Sequence, residues 1–564
     1  MDWIGGKGLG TKLLLDEVPP RCDPLGPENK IIIVRGPLTG TNFPTCNRYG
    51  MLFKSPQTGT YAESYSGGDV GRRISATGNA AIIIEGVSEM PMYLHVSPDG
   101  ATFHDASSLW GKDTSIVRDG LKGIYGANSE SICIGVAGEH LVRIASVQNN
   151  KHHSAGRCGP GAVMGSKKLK AIVFSGTARP AINDNPAFKE LVKEALTRFK
   201  KNPLLYGPEG VYRKLGTPSI VEWANVLGCF PTRYYASGFS DGRDGLGAET
   251  ISASILKRRE GCWNCPFTCG KHVEVSDGPF ACQVKGPEYE TIANFGGLCD
   301  IRDIKAVARI NDYCNRVGID TISAGALCGL AIEARRRGMI PALNGSDLDY
   351  GNAGSVLAFL EDMVHLRGVA ADFAMGTRHV AQKHGLQGIA MHVKGLEFAG
   401  YDPRAFRGFA LSYGVAPEGA THLRSVYHSI ERELPPSYEN RVVPMIEQED
   451  KMAIIDSLIV CKFIRVILDW DFLAKIYNVV LDSSIDGTEL RAIAARMITG
   501  SRIFNVKAGF SRKDDYLPER TYTEALPRMN GPPHELDKAS YDRMLDEYYA
   551  ARGWNRDGTP PGTP

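Results

Sequence analysis

Three cysteines fall within eight residues, in the run Cys262-Trp-Asn-Cys265-Pro-Phe-Thr-Cys269, with Pro266 and Gly270 holding the loop in a tight turn. Thiolates at C-x2-C-x3-C spacing suit a metal centre. A structural zinc site usually adds a second C-x2-C or an H-x3-H pair, and the chain has neither. An iron–sulfur cluster needs one more thiolate, which can come from far away in sequence. The spacing therefore points first to a [4Fe-4S] cluster and leaves zinc or unligated thiols as alternatives. Cys461, in Asp456-Ser-Leu-Ile-Val-Cys461-Lys-Phe463, is the best candidate for the fourth ligand. On an apolar helix face, however, a cysteine is more often a buried core position.

Other residues could carry chemistry but are less specific. Pro287-Glu-Tyr-Glu290 reads as a helix start, where carboxylates complement the backbone dipole whether or not they do anything else. His422 lies in a loop-like stretch, Gly419-Ala-Thr-His422-Leu-Arg424. Gly6-Lys-Gly8-Leu-Gly10 lacks the spacing of a dinucleotide fingerprint, and Gly159-Pro-Gly161-Ala-Val-Met-Gly165-Ser-Lys167 is not a P-loop. The latter does present Arg157, Lys167, Lys168 and Lys170 on a flexible backbone. That suits a phosphorylated cofactor, and equally a basic surface turn.

The elements that position these residues change along the chain. From about 28 to 180, short β-branched runs such as Lys30–Val34, Ala80–Ile84 and Ala171–Phe174 alternate with Gly- and Pro-rich turns, so a sheet domain is expected. Beyond Pro180 the apolar spacing becomes helical, over Pro186–Lys201 and most of 300–390. One helix is expected from about Arg302 to Val317, stopping at Gly318, and the next from the N-cap Asp320 to near Gly338. A further helical block covers Gln448–Tyr477 and then Gly487–Arg502. The breaker-rich tail from Arg552 is expected to fray.

Composition excludes several function classes. At 564 residues the chain exceeds a single core. Its 65 Lys+Arg against 63 Asp+Glu leave +2, so no global field recruits nucleic acid or anionic lipid, and any charged partner must meet a local patch. Mean hydropathy is −0.19, and no apolar run is long enough to span a membrane. An N-terminus without a signal pattern, together with 13 scattered cysteines, an odd number, suggests a cytoplasmic chain with reduced thiols. The 63 glycines suit a backbone that approaches a large cofactor closely.

An ordered set of motifs covering nearly the whole chain resembles the tungsten-dependent aldehyde:ferredoxin oxidoreductase family. It comprises Gly26-Pro-Glu-Asn-Lys30, Gly36-Pro-Leu-Thr-Gly-Thr41, Asn47-Arg-Tyr49, Lys54-Ser-Pro-Gln-Thr-Gly59, Gly161–Lys167, the three-cysteine run, Gly286-Pro-Glu-Tyr-Glu290, Tyr401-Asp-Pro-Arg404 and Asp456-Ser-Leu. The resemblance implies an α+β protein of three domains: 1–183, a β-sheet domain forming the base for two pyranopterins, and two mainly helical domains, 184–393 and 394–564. It implies a tungsten (or molybdenum) bis-pyranopterin, Mg2+ bridging the pterin phosphates, and a [4Fe-4S] cluster on Cys262, Cys265, Cys269 and Cys461. Aldehydes would be oxidised to carboxylic acids, with electrons leaving to ferredoxin or a ferredoxin-like subunit, in a homo- or hetero-oligomer.

By the same resemblance, Arg48 and Arg157 contact pterin. The two pterin motifs correspond to Asn315-Arg-Val-Gly-Ile-Asp320, including Ile319, and Asp456-Ser-Leu-Ile-Val-Cys461, including Val460. Tyr65 and Ser154 sit where backbone carbonyls face magnesium, and Glu290 and His422 lie beside the metal. This chain departs from the family in having Asn315 for Asp, Ile459 for Gly, Arg309 and Asp312 in place of a metal-binding Glu-x-x-His pair, and His153 where an arginine is expected near the cluster. A metal-bridged dimer is therefore not expected. Rival readings are an acyl-CoA aromatic-ring reductase of the same family, for which Cys46 or Cys158 could ligate tungsten, and a non-enzymatic cluster-bearing subunit.

Overall fold

The structure is a computed structural model that describes residues 3–150, 152–206, 210–341 and 347–563. Its first third is built from two sheets. Strands β1 (Ile31–Val34), β2 (Tyr49–Lys54), β3 (Tyr61–Ser66) and β4 (Ala81–Ile84) form an antiparallel sheet in the order β3-β2-β1-β4. Strands β5 (Met92–Ser97), β6 (Gly100–Asp105), β7 (Ser129–Cys133), β8 (Val147–Asn149), β9 (His153–Ala155) and β10 (Leu169–Ser175) form the second, in the order β6-β5-β10-β7-β8-β9. β10 pairs parallel to β5 and antiparallel to β7. β1 is buried along its whole length, as its unbroken Ile-Ile-Ile-Val run requires of a strand covered on both faces.

The remainder is mainly helical, apart from the small sheet β11 (Leu256–Glu260), β12 (Gly270–Val275), β13 (Cys282–Lys285) that flanks the cysteine loop. The helix Pro186–Lys201 is capped by Asn185, Ile304–Val317 by Asp303, and Thr321–Arg336 by Asp320. Gly318 ends the second of these in the left-handed conformation a C-cap favours. One hydrophobic cluster draws on residues from Phe188 to Trp554 and so runs through both helical segments. No described helix is long and apolar enough to cross a membrane.

Three local expectations are corrected. The block expected from Gln448 to Tyr477 is broken: the helix Val442–Leu458 ends at Ile459, which adopts φ 54°, ψ 47°. Cys461 therefore lies on an extended residue leading into a 3-10 turn rather than on a helix face, and its amide donates to the Thr45 carbonyl at 3.1 Å. The tail does not fray: Trp554 stacks on Tyr549, and Arg502 Nε donates to the Gly558 carbonyl at 2.8 Å. The Gly-rich stretch at 159–167 is not a flexible loop but contains a buried helix, Pro160–Ser166.

Candidate active site and cluster loop

Glu290 and His422 come together. Glu290 stands at the start of a short helix, Tyr289–Thr291, that widens into a π-helical stretch over Ile292–Gly297. Such widening is frequent at functional sites. The Gly400 amide donates to Glu290 Oε2 at 2.7 Å, and Asn294 Nδ2 donates to the Glu290 carbonyl at 2.7 Å, so the residue is held from both ends. Its Oε1 lies 3.7 Å from His422 Nε2. The two side chains keep 19% and 15% exposure, so neither is sealed into the packed core. Burial raises the Glu290 carboxyl from 4.5 to about 7, whereas burial and then Arg157 lower His422 to about 3. Near neutral pH the pair is thus a carboxyl poised to take or give a proton beside a neutral imidazole.

Of the pterin-motif residues, Asp320 is close enough to this pair to act on the Glu290 carboxyl, as Arg157 is. The loop Gly318–Asp320 is laced to Ile144–Ser146: Asp320 N donates to Ile144 O at 3.0 Å, Ser146 N donates to Gly318 O at 2.8 Å, and Ile319 bridges Ala145. Asp320 caps its helix through Ser323 N and lies 3.6 Å from Arg157 Nε. Arg157 also donates to the Ala420 and Glu397 carbonyls. Asn315 instead lines a cleft of about 420 Å3 with His152, Asp312 and Arg316, and its carbonyl accepts from Thr114. Tyr65 in β3 and Ser154 in β9 belong to adjoining strands. Val460 is buried.

Asp456 is already engaged, because Arg424 Nη1 and Lys462 Nζ both donate to its Oδ2, at 2.9 and 2.7 Å. Arg424 also pairs with Glu63 and Glu418, and Glu63 with Lys7. The sequence reading missed this buried cluster, since nothing local links Lys7, Glu63 and Arg424. Conversely, Lys167, Lys168 and Lys170 are not free for a phosphate. Their ammonium groups donate to the Gly86, Glu89 and Lys112 carbonyls, and Lys170 also pairs with Glu139. Arg157 alone of the four basic residues reaches the Glu290 region.

The four candidate cluster thiols are mutual neighbours. Burial first, then Cys262 and Cys461, raises Cys265 to about 12, and burial with the surrounding charges lifts Cys269 well above its ordinary value. Cys461 is raised by burial, with Arg48 opposing the rise. Thiols pushed up in this way exist as thiolates only when a cationic centre compensates them. Among the described residues no three His, Cys, Asp or Glu side chains converge on a single metal ion. All thirteen cysteines are unpaired.

The loop is also shaped for close approach. A Cβ at Gly67 would lie 3.1 Å from Cys262 Sγ and 3.3 Å from Arg48 Nη1, and the Gly68 amide donates to Cys262 Sγ at 3.2 Å. His153 Nε2 lies 3.5 Å from Cys262 Sγ and accepts from Lys285 Nζ at 2.8 Å. Lys285, which the sequence did not single out, thus supplies the positive charge that an arginine at 153 would have brought.

The polar atoms of the Glu290–His422 region fit an occupant. Glu290 Oε1, His422 Nδ1 and Gln148 Oε1 are buried without a hydrogen-bond partner among the described residues, and Gln148 Nε2 lies 3.2 Å from Ser154 Oγ. Unsatisfied buried polar atoms are costly, so those of the Glu290–His422 pair fit a polar occupant. The rival tungsten ligands fit less well. Cys46 donates to the Phe43 carbonyl at 3.0 Å, and Cys158 packs with Tyr49 and Val163 in the apolar cluster of the sheet domain.

Arg309 and Asp312 pair with each other at 3.0 Å.

Comparison with known proteins agrees across the whole chain. The profile of the aldehyde ferredoxin oxidoreductase N-terminal domain matches residues 1–176, and that of the same enzyme's domains 2 and 3 matches residues 190–563. The tungsten-containing aldehyde ferredoxin oxidoreductase of Thermococcus kodakarensis is 35% identical over 99% of this chain and 93% of its own. That of Pyrococcus furiosus is 33% identical with the same coverage. A solved structure, the BamBC active site complex of benzoyl coenzyme A reductase with 1,5-dienoyl-CoA, shares the fold with TM-score 0.84 at 24% identity, covering 99% of this chain and 91% of that one.

Proposed function

The chain belongs to the aldehyde ferredoxin oxidoreductase family, and from that premise we propose that it oxidises aldehydes to carboxylic acids with a tungsten bis-pyranopterin and a [4Fe-4S] cluster, passing electrons to a ferredoxin-type protein. The carrying observation is the Glu290–His422 pair: two buried, incompletely satisfied groups 3.7 Å apart, one raised to about 7 and the other neutral.

Arg48, Arg157, Asn315, Ile319, Asp320, Asp456 and Val460 would hold the pterins, with Tyr65 and Ser154 offering carbonyls to Mg2+. Cys262, Cys265, Cys269 and Cys461 would hold the cluster. Domain boundaries near 183 and 393 follow from the same reading. When bound, the tungsten centre supplies two-electron oxidation and the cluster relays electrons singly.

The chain's own residues handle the proton and the oxygen. Glu290 Oε1, with no hydrogen-bond partner among the described residues, takes the proton from water or from a hydrated aldehyde. The Gly400 amide on Oε2 keeps the carboxylate aimed while it does so. His422, kept neutral by burial and by Arg157, donates a hydrogen bond to the carbonyl oxygen and polarises the carbon toward attack. Arg157, itself buried against Asp320 and Glu397, sets the positive potential that keeps His422 from protonating.

The test is elemental analysis of the purified protein alongside aldehyde-dependent reduction of a viologen dye. About one tungsten and about four iron per chain, with dye reduction, is the expected result. Fully loaded protein that reduces no dye with any of a panel of aldehydes would overturn the reading, as would zinc in place of iron.

A further inference from the structure

Because positive and negative residues nearly cancel over the chain, 65 against 63, a local surplus is a distinguishing feature. One surrounds the cysteine loop. β11 leads directly into Cys262, and its Lys257, Arg258 and Arg259 are all exposed on an edge strand that pairs only with β12. Glu274 and Glu260 approach Lys257 and Arg258 only at 3.5 Å, and Arg259 has no ion pair among the described residues.

On the other side of the loop, Arg72 stacks over Trp263 at 5.3 Å while pairing with Asp69. Exposed Lys214 belongs to the helix Val211–Leu215, which packs on the loop through Tyr212 and Phe267, ring centres 6.2 Å apart. Five cations therefore rim the loop against three carboxylates. Within the loop Trp263, next to Cys262, is partly exposed. A half-buried aromatic flanked by arginines has the composition of a protein-binding patch, and the lysines add long-range charge.

We propose that this rim is the docking face for a small acidic iron–sulfur carrier, with Trp263 as its apolar contact and Arg258, Arg259, Lys257, Lys214 and Arg72 as its electrostatic guide. The inference rests on the ferredoxin-linked reading above. Each encounter moves one electron from the reduced cluster to the oxidised carrier, so the two electrons of one aldehyde leave in two encounters and no bond is made. Complementary charge at the rim raises the encounter rate and fixes orientation, and it does so less as salt rises. Cations on an edge strand can also serve merely to block strand addition by another chain, and the experiment separates these roles.

The experiment is calorimetric titration of the metal-loaded enzyme with an oxidised acidic [4Fe-4S] ferredoxin, read beside aldehyde-dependent viologen reduction. Arg258→Glu/Arg259→Glu is compared with the same charge change placed far away, Lys538→Glu/Arg556→Glu. The expected result is that the rim variant alone raises the ferredoxin Kd by at least about tenfold, that wild-type affinity falls with salt, and that viologen reduction is unchanged throughout. Should the rim variant lose iron, the milder Lys214→Gln/Lys257→Gln is read in its place, with a weakening of about threefold or more expected. Equal ferredoxin affinity in the rim and distant variants would overturn the docking face and leave the activity untouched. A wild type that binds ferredoxin but reduces no viologen would instead sink the aldehyde reading and not the face.

Discussion

Two buried polar clusters lie on neighbouring parts of this molecule and are built on opposite principles. Around Arg424 every charge has an opposite charge beside it: Glu63 meets Lys7 and Arg424, Asp456 meets Arg424 and Lys462, and Glu418 meets Arg424 Nε at 2.7 Å, although Arg424 Nε and Glu418 Oε2 make no hydrogen bond among the described residues. Burial pushes the Glu63 carboxyl up, but Arg424 and Lys7 outweigh it and hold the group at about 2. Around Glu290 the reverse holds. Its Oε1 and His422 Nδ1 have no hydrogen-bond partner among the described residues, and burial wins over the Gly400 amide and Arg157 that oppose it, leaving the carboxyl at about 7. The answered cluster fixes structure, because a paired charge has nothing left to react with. The unanswered one has been left able to exchange a proton, and there the cost of an unsatisfied group can serve chemistry.

The largest expected effect is on the unanswered cluster. Glu290→Gln keeps an acceptor for the Gly400 amide but removes the titrating oxygen, so aldehyde turnover should fall by about 10²–10⁴-fold with tungsten and iron content unchanged. Wild-type turnover should climb as pH rises through about 7 and the carboxyl ionises, and the variant's residual turnover should lose that limb. The linkage to stability has a definite sign. A carboxyl raised from 4.5 to about 7 in the folded protein contributes stability below 4.5 and loses it as pH climbs between the two values. Wild type should therefore weaken relative to Glu290→Gln over that window. A variant with full turnover would show that the pair is as structural as its neighbour.

Next in size is the answered cluster. Glu63→Ala strands Lys7 and leaves Arg424 with fewer partners in a dry interior, and breaking a buried pair by removing one member costs about 3–5 kcal/mol. The denaturant midpoint should drop accordingly. Because the folded Glu63 carboxyl sits at about 2, below its ordinary 4.5, its contribution is present above 4.5 and disappears as pH falls toward 2. Wild type and variant should therefore converge in acid. An unshifted midpoint at neutral pH would mean that the network is ornamental, and the contrast between the clusters would lose its basis.

What the sequence revealed follows the range of the interactions involved. Helix ends were legible because Asp303, Asp320 and Gly318 act on their own backbone within a few residues. The three-cysteine run stood out because its thiols are close together in sequence. The fourth thiol and the approach of Glu290 to His422 depend on long-range packing, and only the family resemblance carried them. The Glu63–Arg424 pair, 361 residues apart, had no signal at all. Lys167, Lys168 and Lys170 were misread for a related reason: sequence gives a lysine's charge but not the carbonyl to which its long side chain reaches. The tail was misjudged because its glycines and prolines were visible and the buried contact of Trp554 was not.

The smallest effect sharpens the comparison from inside the answered region. Ile459 follows directly after the helix that bears Asp456 and occupies left-handed space at φ 54°, a conformation that costs an L-residue about 1–2 kcal/mol and a branched one more. Relief of that strain favours Ile459→Gly. Against it stand the loss of a side chain only 1% exposed, packed among Leu14, Val34 and Leu52, at about 2–5 kcal/mol, and the entropy of a new glycine. Packing should win, so Ile459→Gly should destabilise by about 1–3 kcal/mol. The same isoleucine dictates Gly6, where a Cβ would lie 2.3 Å from Ile459 Cδ1. Gly6→Ala should therefore be harmful in wild type and nearly neutral in the Ile459→Gly background, a coupling of about 0.5–3 kcal/mol. Additive costs in the double variant would mean that the two residues do not share one space, and that the strain at Ile459 is held by something other than its packing against the helix Gly5–Glu17.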